Sequence, residues 1–112
     1  MRVVISQRAE TDLARIYAWL ATHYDSEAAE RFRARAERAL IQLGEHPHLG
    51  PHPGWATHHK TLRFWIISRS GYVIYYESRR EDVSIERVLD GRRDVCRIIE
   101  FGSEDGLVDT ED

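Results

Sequence analysis

This chain of 112 residues has only one cysteine, Cys96, and its three prolines all fall between residues 47 and 53. One thiol cannot form an internal disulfide, and no run of about 20 apolar residues is present to form a membrane span or a signal segment. The length predicts one domain, which buries a single core without help from disulfides or metal. We therefore expect a protein of the reducing cytoplasm with no membrane association.

Charge is unevenly distributed along the chain. Residues 104–112, EDGLVDTED, carry five acids and no base, so the formal charge of −3 becomes +2 on the rest, with 16 bases and 14 acids. This composition predicts a folded domain over residues 1–101 and an acidic, disordered tail over 102–112. The alternative is that the tail covers a basic patch on its own chain or on a neighbour.

The first half of the chain has the periodicity of a helical hairpin. The β-branched run RVVIS (2–6) predicts a strand. A helix over about 8–23, capped by Ser6, and a second helix from Asp25 or Ser26 to Gly44 are predicted from apolar residues at helical spacing. These residues are Ala9, Leu13, Ile16, Tyr17, Leu20 and Tyr24, then Ala29, Phe32, Ala36, Leu40 and Leu43.

The second half alternates with the period of two that is typical of strands. Residues 61–67 and 72–78 predict a β-hairpin, and 83–90 predict a third strand, whereas 92–101 fit a helix or a strand equally well. The predicted fold is α+β, in the order β-α-α-β-β-β, with the helical hairpin packed on a mainly antiparallel, twisted sheet. Phe64 is expected in the core, with Arg63 and Trp65 on the opposite face of their strand.

Common catalytic motifs are missing. The chain has no phosphate-binding loop, dinucleotide fingerprint, zinc-protease helix, paired-cysteine motif or serine-hydrolase elbow. The basic excess is small, and aromatic residues are not interleaved with a basic stripe, so sequence-specific nucleic-acid binding is not expected. No cofactor is predicted.

Six short motifs in one order resemble a known family. They are A-x-x-D-L-x-x-I (from Ala9), A-x-x-F (from Ala29), L-x-x-x-P-x-x-G (from Leu43), L-R (from Leu62), Y-x-I-Y-Y (from Tyr72) and R-V-L-x-G-R-R-D (from Arg87). Together they resemble the ParE branch of the ParE/RelE superfamily of type II toxin-antitoxin toxins, also called plasmid stabilisation proteins. Asp90 departs from the pattern, because many relatives carry histidine before the glycine.

The resemblance implies a partner and a target. ParE toxins are neutralised by a ParD-like antitoxin, whose disordered C-terminal segment folds across the toxin, and characterised members poison DNA gyrase. The RelE branch instead cuts mRNA in the ribosomal A site. An inactive toxin that persists through its antitoxin complex is a third possibility.

The nuclease alternative needs an acid-base pair as well as cations. Arg63, Arg92 and Arg93 could supply the cations that offset charge on the phosphate. The segment after GRRD reads VCRIIEFGSED and has no tyrosine, histidine or lysine. We therefore favour a toxin that acts by binding and without catalysis.

The segment between the second helix and the sheet holds most of the histidines. His46, His48, His52, His58 and His59 lie between residues 45 and 65. Zinc needs three or four converging ligands, whereas prolines stiffen this segment and adjacent histidines do not easily face one ion. We expect a connector without metal, in which His58, His59 and Lys60 beside Arg63 form a phosphate-facing patch as a further hypothesis.

Partner contacts are predicted from exposed aromatic and basic residues. The antitoxin-binding candidates are Trp19, Arg63, Trp65 and Tyr76. Trp19 lies well off the apolar stripe of its helix, and Tyr76 is expected across the hairpin from Trp65. The target-binding candidates are Arg92, Arg93 and Arg97. If the C-terminal segment faces the target, deletion of residues 92–112 should abolish toxicity and leave a folded core.

Overall fold

The fold places a helical hairpin on one face of a four-stranded sheet. The structure is a computed structural model and describes residues 1–102. Its elements are β1 (Arg2–Ile5), α1 (Gln7–His23), α2 (Ser26–Glu45), β2 (Leu62–Ile66), β3 (Tyr72–Ser78), β4 (Asp82–Asp90) and α3 (Val95–Phe101). The predicted α+β class and element order are confirmed, and the undecided segment 92–101 contains a short helix. Except for Gly102, the predicted acidic tail lies outside the described residues.

Side-chain caps begin both long helices. The Ser6 hydroxyl accepts a hydrogen bond from the Ala9 amide at 3.0 Å, and an Asp25 carboxylate oxygen accepts one from the Ala28 amide at 2.8 Å. Each cap satisfies an amide that has no carbonyl partner within the first turn of its helix. The two helix starts therefore lie within one residue of the positions expected from sequence.

The end of α2 differs from the prediction. Gly44 lies inside the helix, and the helix ends one residue later, with His46 as its C-cap. A Cβ atom at Gly44 would lie 3.0 Å from the Met1 carbonyl oxygen and 3.0 Å from a Val3 methyl carbon. The glycine thus serves close packing of α2 on β1, which local helix-termination rules do not detect.

The sheet is mixed, with two antiparallel strand pairs and one parallel pair at an edge. Its strand order is β1-β4-β3-β2, in which β1 runs parallel to β4 and the other pairs are antiparallel. A parallel pair needs a long connection between its strands, and here α1, α2, β2 and β3 all lie between β1 and β4 in the chain. β1 and β2 form the two edges.

Apolar side chains cover both faces of the sheet. The face towards α1 and α2 carries the helix-side core: Ala9, Leu13, Ile16, Phe32, Ala36, Ala39, Leu43, Ile67, Ile74, Tyr76, Val83, Ile85 and Val88. The opposite face carries the loop-side cluster: Ala56, Leu62, Val73, Tyr75, Leu89, Val95 and Ile98. Successive residues of a strand point to opposite faces, so Ile74 and Tyr75 fall in different clusters.

Two face assignments made from sequence are wrong. Phe64 packs on the loop-side cluster, whereas Trp65 is half-buried against the helix-side core. The alternation along β2 is as predicted, but the helices cover the opposite face from the one expected. Periodicity cannot distinguish the faces here, because both are apolar.

A β-bulge breaks the predicted alternation along β4. Tyr75 pairs with Arg87 and Tyr76 with Ile85, so β4 carries an extra residue between them. Such an insertion moves the residues beyond it to the other face of the sheet. Ile85 therefore belongs to the helix-side core and Leu89 to the loop-side cluster, although strict alternation along the strand would place both on one face.

No helix within residues 1–102 is long and apolar enough to span a membrane.

Candidate interaction site

Trp19 stands on the solvent side of α1, as its position off the apolar stripe predicts. It is 45% exposed. Its ring stacks on His23 with centroids 4.3 Å apart and meets the edge of Tyr24 at 5.8 Å. A large aromatic ring held in place by neighbouring rings, yet open to water, has the character of an interface anchor.

Trp19 borders a groove between α1 and the sheet, which we name the Trp19 groove. It has a volume of about 510 Å³ and lies between α1 and the ends of β3 and β4. Ile16, Tyr72 and Leu89 supply apolar surface, while Arg92 and Arg93 follow β4 and line the same groove. The fold thus brings together Trp19, an antitoxin-binding candidate, and two target-binding candidates that lie more than 70 positions away in the sequence.

An ion pair sets the charge at one end of this groove. The Arg92 guanidinium donates to Asp90 at 3.1 and 2.7 Å, and the Arg92 amide donates to the same carboxylate at 2.9 Å. Hydrogen bonding from Arg92 holds the pKa of Asp90 below its usual value. Burial, followed by the nearby Asp90 charge, raises the pKa of Tyr72. The groove is therefore amphipathic, with aromatic and aliphatic surface beside a fixed pair of charges.

Arg97, the third target-binding candidate, does not line the Trp19 groove. It lies exposed on α3, where its amide donates to the Asp94 side chain at 3.2 Å. α3 packs on the loop-side cluster through Val95 and Ile98. The predicted target surface is therefore divided between two regions of the molecule.

Tyr76 is buried and has a structural contact. It is 0% exposed, and its hydroxyl accepts a hydrogen bond from the Gly50 amide at 2.9 Å. Burial raises the pKa of Tyr76, although the bond from Gly50 partly opposes this. The predicted pairing with Trp65 is wrong, because Tyr76 pairs with Arg63 and Trp65 with Ile74. An antitoxin therefore has no access to this ring in the described conformation.

Arg63 fastens the connector to the sheet. One guanidinium nitrogen donates to the Gly50 carbonyl at 2.6 Å and to the His48 carbonyl at 3.2 Å. The side chain also borders a separate groove of about 260 Å³ with His48, His52 and Lys60. Arg63 therefore lies in a different groove from Arg92 and Arg93.

The histidines of the connector take separate positions. His52 Nε2 lies 3.1 Å from the Ala56 carbonyl oxygen and 3.2 Å from that of His59, while His58 Nδ1 lies 2.6 Å from Glu100. His59 borders a further groove, beside Ile98. Over residues 1–102, no three histidine, cysteine or acidic side chains are grouped as metal ligands. Of the hypothetical patch, Lys60 borders the same groove as Arg63, whereas His59 borders another groove and His58 contacts Glu100.

Sequence reasoning missed a buried ion pair between α1 and β4. Arg87 donates to both oxygens of Asp12, at 2.9 and 3.0 Å, and the Val88 amide donates to the same carboxylate at 2.9 Å. The two side chains are only 7% and 6% exposed. The available signal was an acid inside the apolar stripe of α1 and an arginine inside an apolar strand, since buried charges are normally paired. Asp12 and Val88, which the amide hydrogen bond joins to each other, both line the Trp19 groove, whereas Arg87 does not.

Comparison with known proteins identifies the family. A family model described as "ParE toxin of type II toxin-antitoxin system, parDE" matches residues 3–95. Among solved structures, the fold is similar to a chain described as "Chromosomal ParDE TA system from P. aeruginosa", with a TM-score of 0.69 and 16% identity, covering 80% of this chain and 95% of that one. No curated protein sequence matches. The match to the family model spans the hairpin, the sheet and the Trp19 groove, and the chain therefore belongs to the ParE toxin family of type II toxin-antitoxin systems.

Proposed function

We propose that this ParE-family chain acts in the cytoplasm by stoichiometric binding to DNA gyrase, and that a ParD-like antitoxin neutralises it. The observation that carries the proposal is the convergence of Trp19, Arg92 and Arg93 on one groove in a chain of this family. Aromatic and arginine side chains are the residues that most often dominate protein interfaces. Binding of this kind needs no cofactor.

The arrangement of the cations favours binding over mRNA cleavage. A nuclease of the RelE kind needs its arginines around one phosphate, but Arg63 lies in a different groove from Arg92 and Arg93. Arg63 is also engaged by two carbonyls of the connector, and Arg92 by the Asp90 carboxylate. The electrostatic stabilisation that metal-free cleavage requires is therefore dispersed over the molecule.

The antitoxin is proposed to dock as a helix in the Trp19 groove. The structural neighbour is described as a ParDE system, which supports a partner of the ParD kind. Strand addition at the β2 edge meets an obstacle, since the Phe64 amide already donates to the Pro51 carbonyl at 3.0 Å. A helix with apolar residues at i, i+3 and i+4 suits a groove of apolar and aromatic side chains better. An antitoxin helix that packs on Trp19 in this groove also covers Arg92 and Arg93, the arginines proposed to contact the target.

A supercoiling assay with the purified chain and gyrase tests this function. We expect loss of supercoiling with accumulation of cleaved DNA, and reversal by a ParD-like antitoxin peptide. Trp19→Ala and Arg93→Ala should weaken inhibition about tenfold or more, as hot-spot truncations of about 2 kcal/mol do. Ile41→Ala is the matched control, because Ile41 is 62% exposed on α2 and lies outside the groove lining.

Other outcomes, read together with a second assay for cleavage of ribosome-bound mRNA, would favour a different function. No effect on gyrase, together with cleavage of ribosome-bound mRNA, would establish the nuclease alternative. No effect in either assay would indicate an inactive relative. Deletion of residues 92–112 is a poor substitute for these point variants, since Val95 and Ile98 are buried and their removal would open the loop-side cluster.

A further inference from the structure

A polar groove lies at the edge of the sheet, where β2 begins beside the connector. It has a volume of about 260 Å³. We name it the Lys60 groove, and its lining residues are His48, His52, Lys60, Thr61, Leu62, Arg63 and Ser78. None of the described residues lines both this groove and the Trp19 groove, so the two are separate surfaces.

Lys60 and Arg63 give the Lys60 groove its charge. Lys60 is the one lysine of the chain, and it is exposed. Within residues 1–102, the hydrogen bonds of Arg63 to the His48 and Gly50 carbonyls both come from a single nitrogen, Nη1. A guanidinium carries five N–H donors, so Nε and Nη2 keep three of them for another acceptor. The groove therefore offers two cations with donors to spare.

The β2–β3 hairpin adds a hydroxyl on the same side as Arg63. Arg63 pairs with Tyr76, and Ser78 lies two residues further along β3. Residues two apart on a strand point to the same face of the sheet, so Ser78 and Arg63 share a face. The Ser78 hydroxyl is a third donor for an acceptor in the groove.

The backbone around Lys60 is held in place. The Leu62 amide donates to the His59 carbonyl at 3.2 Å and closes a turn over residues 59–62. His52 Nε2 lies 3.2 Å from the same carbonyl oxygen and 3.1 Å from that of Ala56. A carbonyl oxygen only accepts, so this nitrogen carries a proton and donates. The connector therefore positions Lys60 beside β2 without the help of a ligand.

No acidic side chain among the described residues lines the Lys60 groove. Glu77 lies next to it, since one of its carboxylate oxygens accepts a hydrogen bond from the Thr61 hydroxyl at 3.1 Å. The other oxygen of Glu77 lies 4.0 Å from Arg79 Nε, and that arginine offsets its charge. The lining itself is left with two cations and no anion.

We propose that the Lys60 groove binds the phosphate group of a small phosphate monoester. Such a group has about two negative charges and three acceptor oxygens, so it can accept from Lys60, Arg63 and Ser78 together. A carboxylate offers two oxygens in one plane, and a phosphodiester carries a single charge. The volume is below the range of about 300–1,000 Å³ that is usual for drug-sized ligands, so the groove suits a phosphate on a short carbon chain.

A bound phosphate joins the connector to the hairpin. Lys60 belongs to the connector, whereas Arg63 and Ser78 belong to β2 and β3. The Phe64 amide donates to the Pro51 carbonyl at 3.0 Å, so this junction already has a hydrogen bond that reports on its opening. A ligand that binds only the closed form makes opening rarer. Binding here does not depend on the proposed function, so the two can fail separately.

A titration of the isotope-labelled full chain with methyl phosphate tests the site. Amide and arginine Nε–Hε signals are followed in a buffer free of phosphate, at constant ionic strength. We expect saturable shifts at residues 60–63, at Ser78 and at the Arg63 Nε–Hε group. Dimethyl phosphate, the matched diester, should bind about tenfold more weakly, because it loses a charge and an acceptor oxygen. Shifts that do not saturate, shifts centred on Trp19 and Tyr72, or equal affinity for the diester would each overturn the proposal.

Lys60→Gln is the variant that tests the contact, because Lys60 is exposed and the bonds of Arg63 to the connector stay intact. It should weaken methyl phosphate binding about tenfold, and Ser78→Ala about threefold. Arg38→Gln removes the same charge from an exposed position on α2 outside the lining and should leave the affinity unchanged. Native affinity in Lys60→Gln, or an equal loss in Arg38→Gln, would contradict a site at this groove.

Hydrogen exchange gives a readout that does not depend on chemical shifts. At a methyl phosphate concentration about ten times the dissociation constant, exchange of the Phe64 amide should slow about tenfold. The Ala28 amide, which is bonded to the Asp25 cap of α2, opens with the groove intact and should not respond. Unchanged exchange at Phe64, or slowing that persists in Lys60→Gln, would also overturn the proposal.

Discussion

The two faces of the sheet are closed by different kinds of contact. Helices of 17 and 20 residues cover one face, whereas a helix of 7 residues and the connector over 46–61 cover the other. On the helix side, the ion pair between Asp12 and Arg87 is enclosed, with side chains 6% and 7% exposed. On the loop side, the contact of His58 with Glu100 joins a carboxylate side chain that is 1% exposed to a histidine side chain that is 69% exposed, so only one partner is enclosed.

This difference assigns the two faces different roles in stability. Apolar burial and an enclosed ion pair must be lost together when the helix side opens, so changes there should alter global unfolding. Hydrogen bonds at the surface can open locally at lower cost in free energy. We therefore expect the helix side to be the rigid support of the Trp19 groove and the loop side to respond to local changes and to pH.

The largest effect is expected from Asp12→Ala. The substitution removes a carboxylate that accepts three hydrogen bonds, two from Arg87 and one from the Val88 amide. A buried arginine that loses its carboxylate is left with an uncompensated charge, which typically costs about 3–5 kcal/mol. Urea unfolding followed by circular dichroism measures the free energy of unfolding.

Glu27→Ala is the control for this substitution. It breaks the exposed pair of Glu27 with Arg31, whose charged atoms are 4.0 Å apart, and should cost about 1 kcal/mol or less. The double variant Asp12→Leu with Arg87→Met should recover much of the lost stability, since a buried ion pair can often be replaced by apolar side chains. A loss below about 1 kcal/mol for Asp12→Ala would show that the pair does not fix α1 to the sheet.

Gly50→Ala tests the contact between the connector and the sheet. A Cβ atom there would lie 2.1 Å from the Phe64 carbonyl oxygen and 2.9 Å from the Tyr76 hydroxyl. The backbone must move, and we expect a loss of about 3 kcal/mol with faster hydrogen exchange at the Phe64 amide. Gly54→Ala is a matched control in the same connector, because nothing lies within 4 Å of its added Cβ. A similar loss for both variants would contradict the close approach at Gly50.

The general fold could be predicted from sequence because each element has a local signal. Ser6 and Asp25 cap the starts of two helices with periodic apolar residues, and strands with alternating residues follow the second helix. Gly44 and the β4 bulge could not be predicted, since both depend on the approach of a distant strand. The exchanged faces of Phe64 and Trp65 have a different cause, because a sheet with two apolar faces gives no one-sided pattern.

The candidate site could be predicted only in part. Trp19 was recognised from its position off the apolar stripe, and its exposure agrees with that prediction. Tyrosine is also a common anchor residue at interfaces, but Tyr76 is buried and its hydroxyl accepts a hydrogen bond from the amide of Gly50, 26 positions earlier in the sequence. Contacts between residues this far apart are set by the tertiary fold, and a single sequence does not specify them.

Tyr76→Phe separates a structural role from a binding role. The change leaves the buried Gly50 amide without its acceptor, which should cost about 1–3 kcal/mol of stability. Tyr24→Phe is the control, because Tyr24 is 68% exposed and should change stability by less than about 0.5 kcal/mol. Antitoxin affinity measured well below the melting temperature should be unchanged. A loss of affinity without a loss of stability would restore Tyr76 as a contact residue.

The smallest effect is a local dependence on acid at Glu100. Burial by itself would raise the pKa of this carboxyl, but hydrogen bonds from the His58 side chain and amide and from Thr57 outweigh it and hold the pKa below its ordinary value of 4.5. A lowered pKa in the folded state means that the contact contributes stability above pH 4.5 and loses it as the pH falls through the folded value. Hydrogen exchange at the His58 amide, corrected for its intrinsic pH dependence, should therefore accelerate below pH 4.5 while the helix-side amides remain protected.

Glu100→Gln should remove this acid-dependent step and leave the His58 amide weakly protected at every pH. Glu81→Gln, which changes an exposed carboxylate in the turn between β3 and β4, should leave the step in place. If hydrogen exchange instead accelerates at the helix-side and loop-side amides together as the pH falls, then the two faces unfold as one unit. The His58–Glu100 contact would then be coupled to the buried Asp12–Arg87 pair, and the proposed difference between the two faces would be wrong.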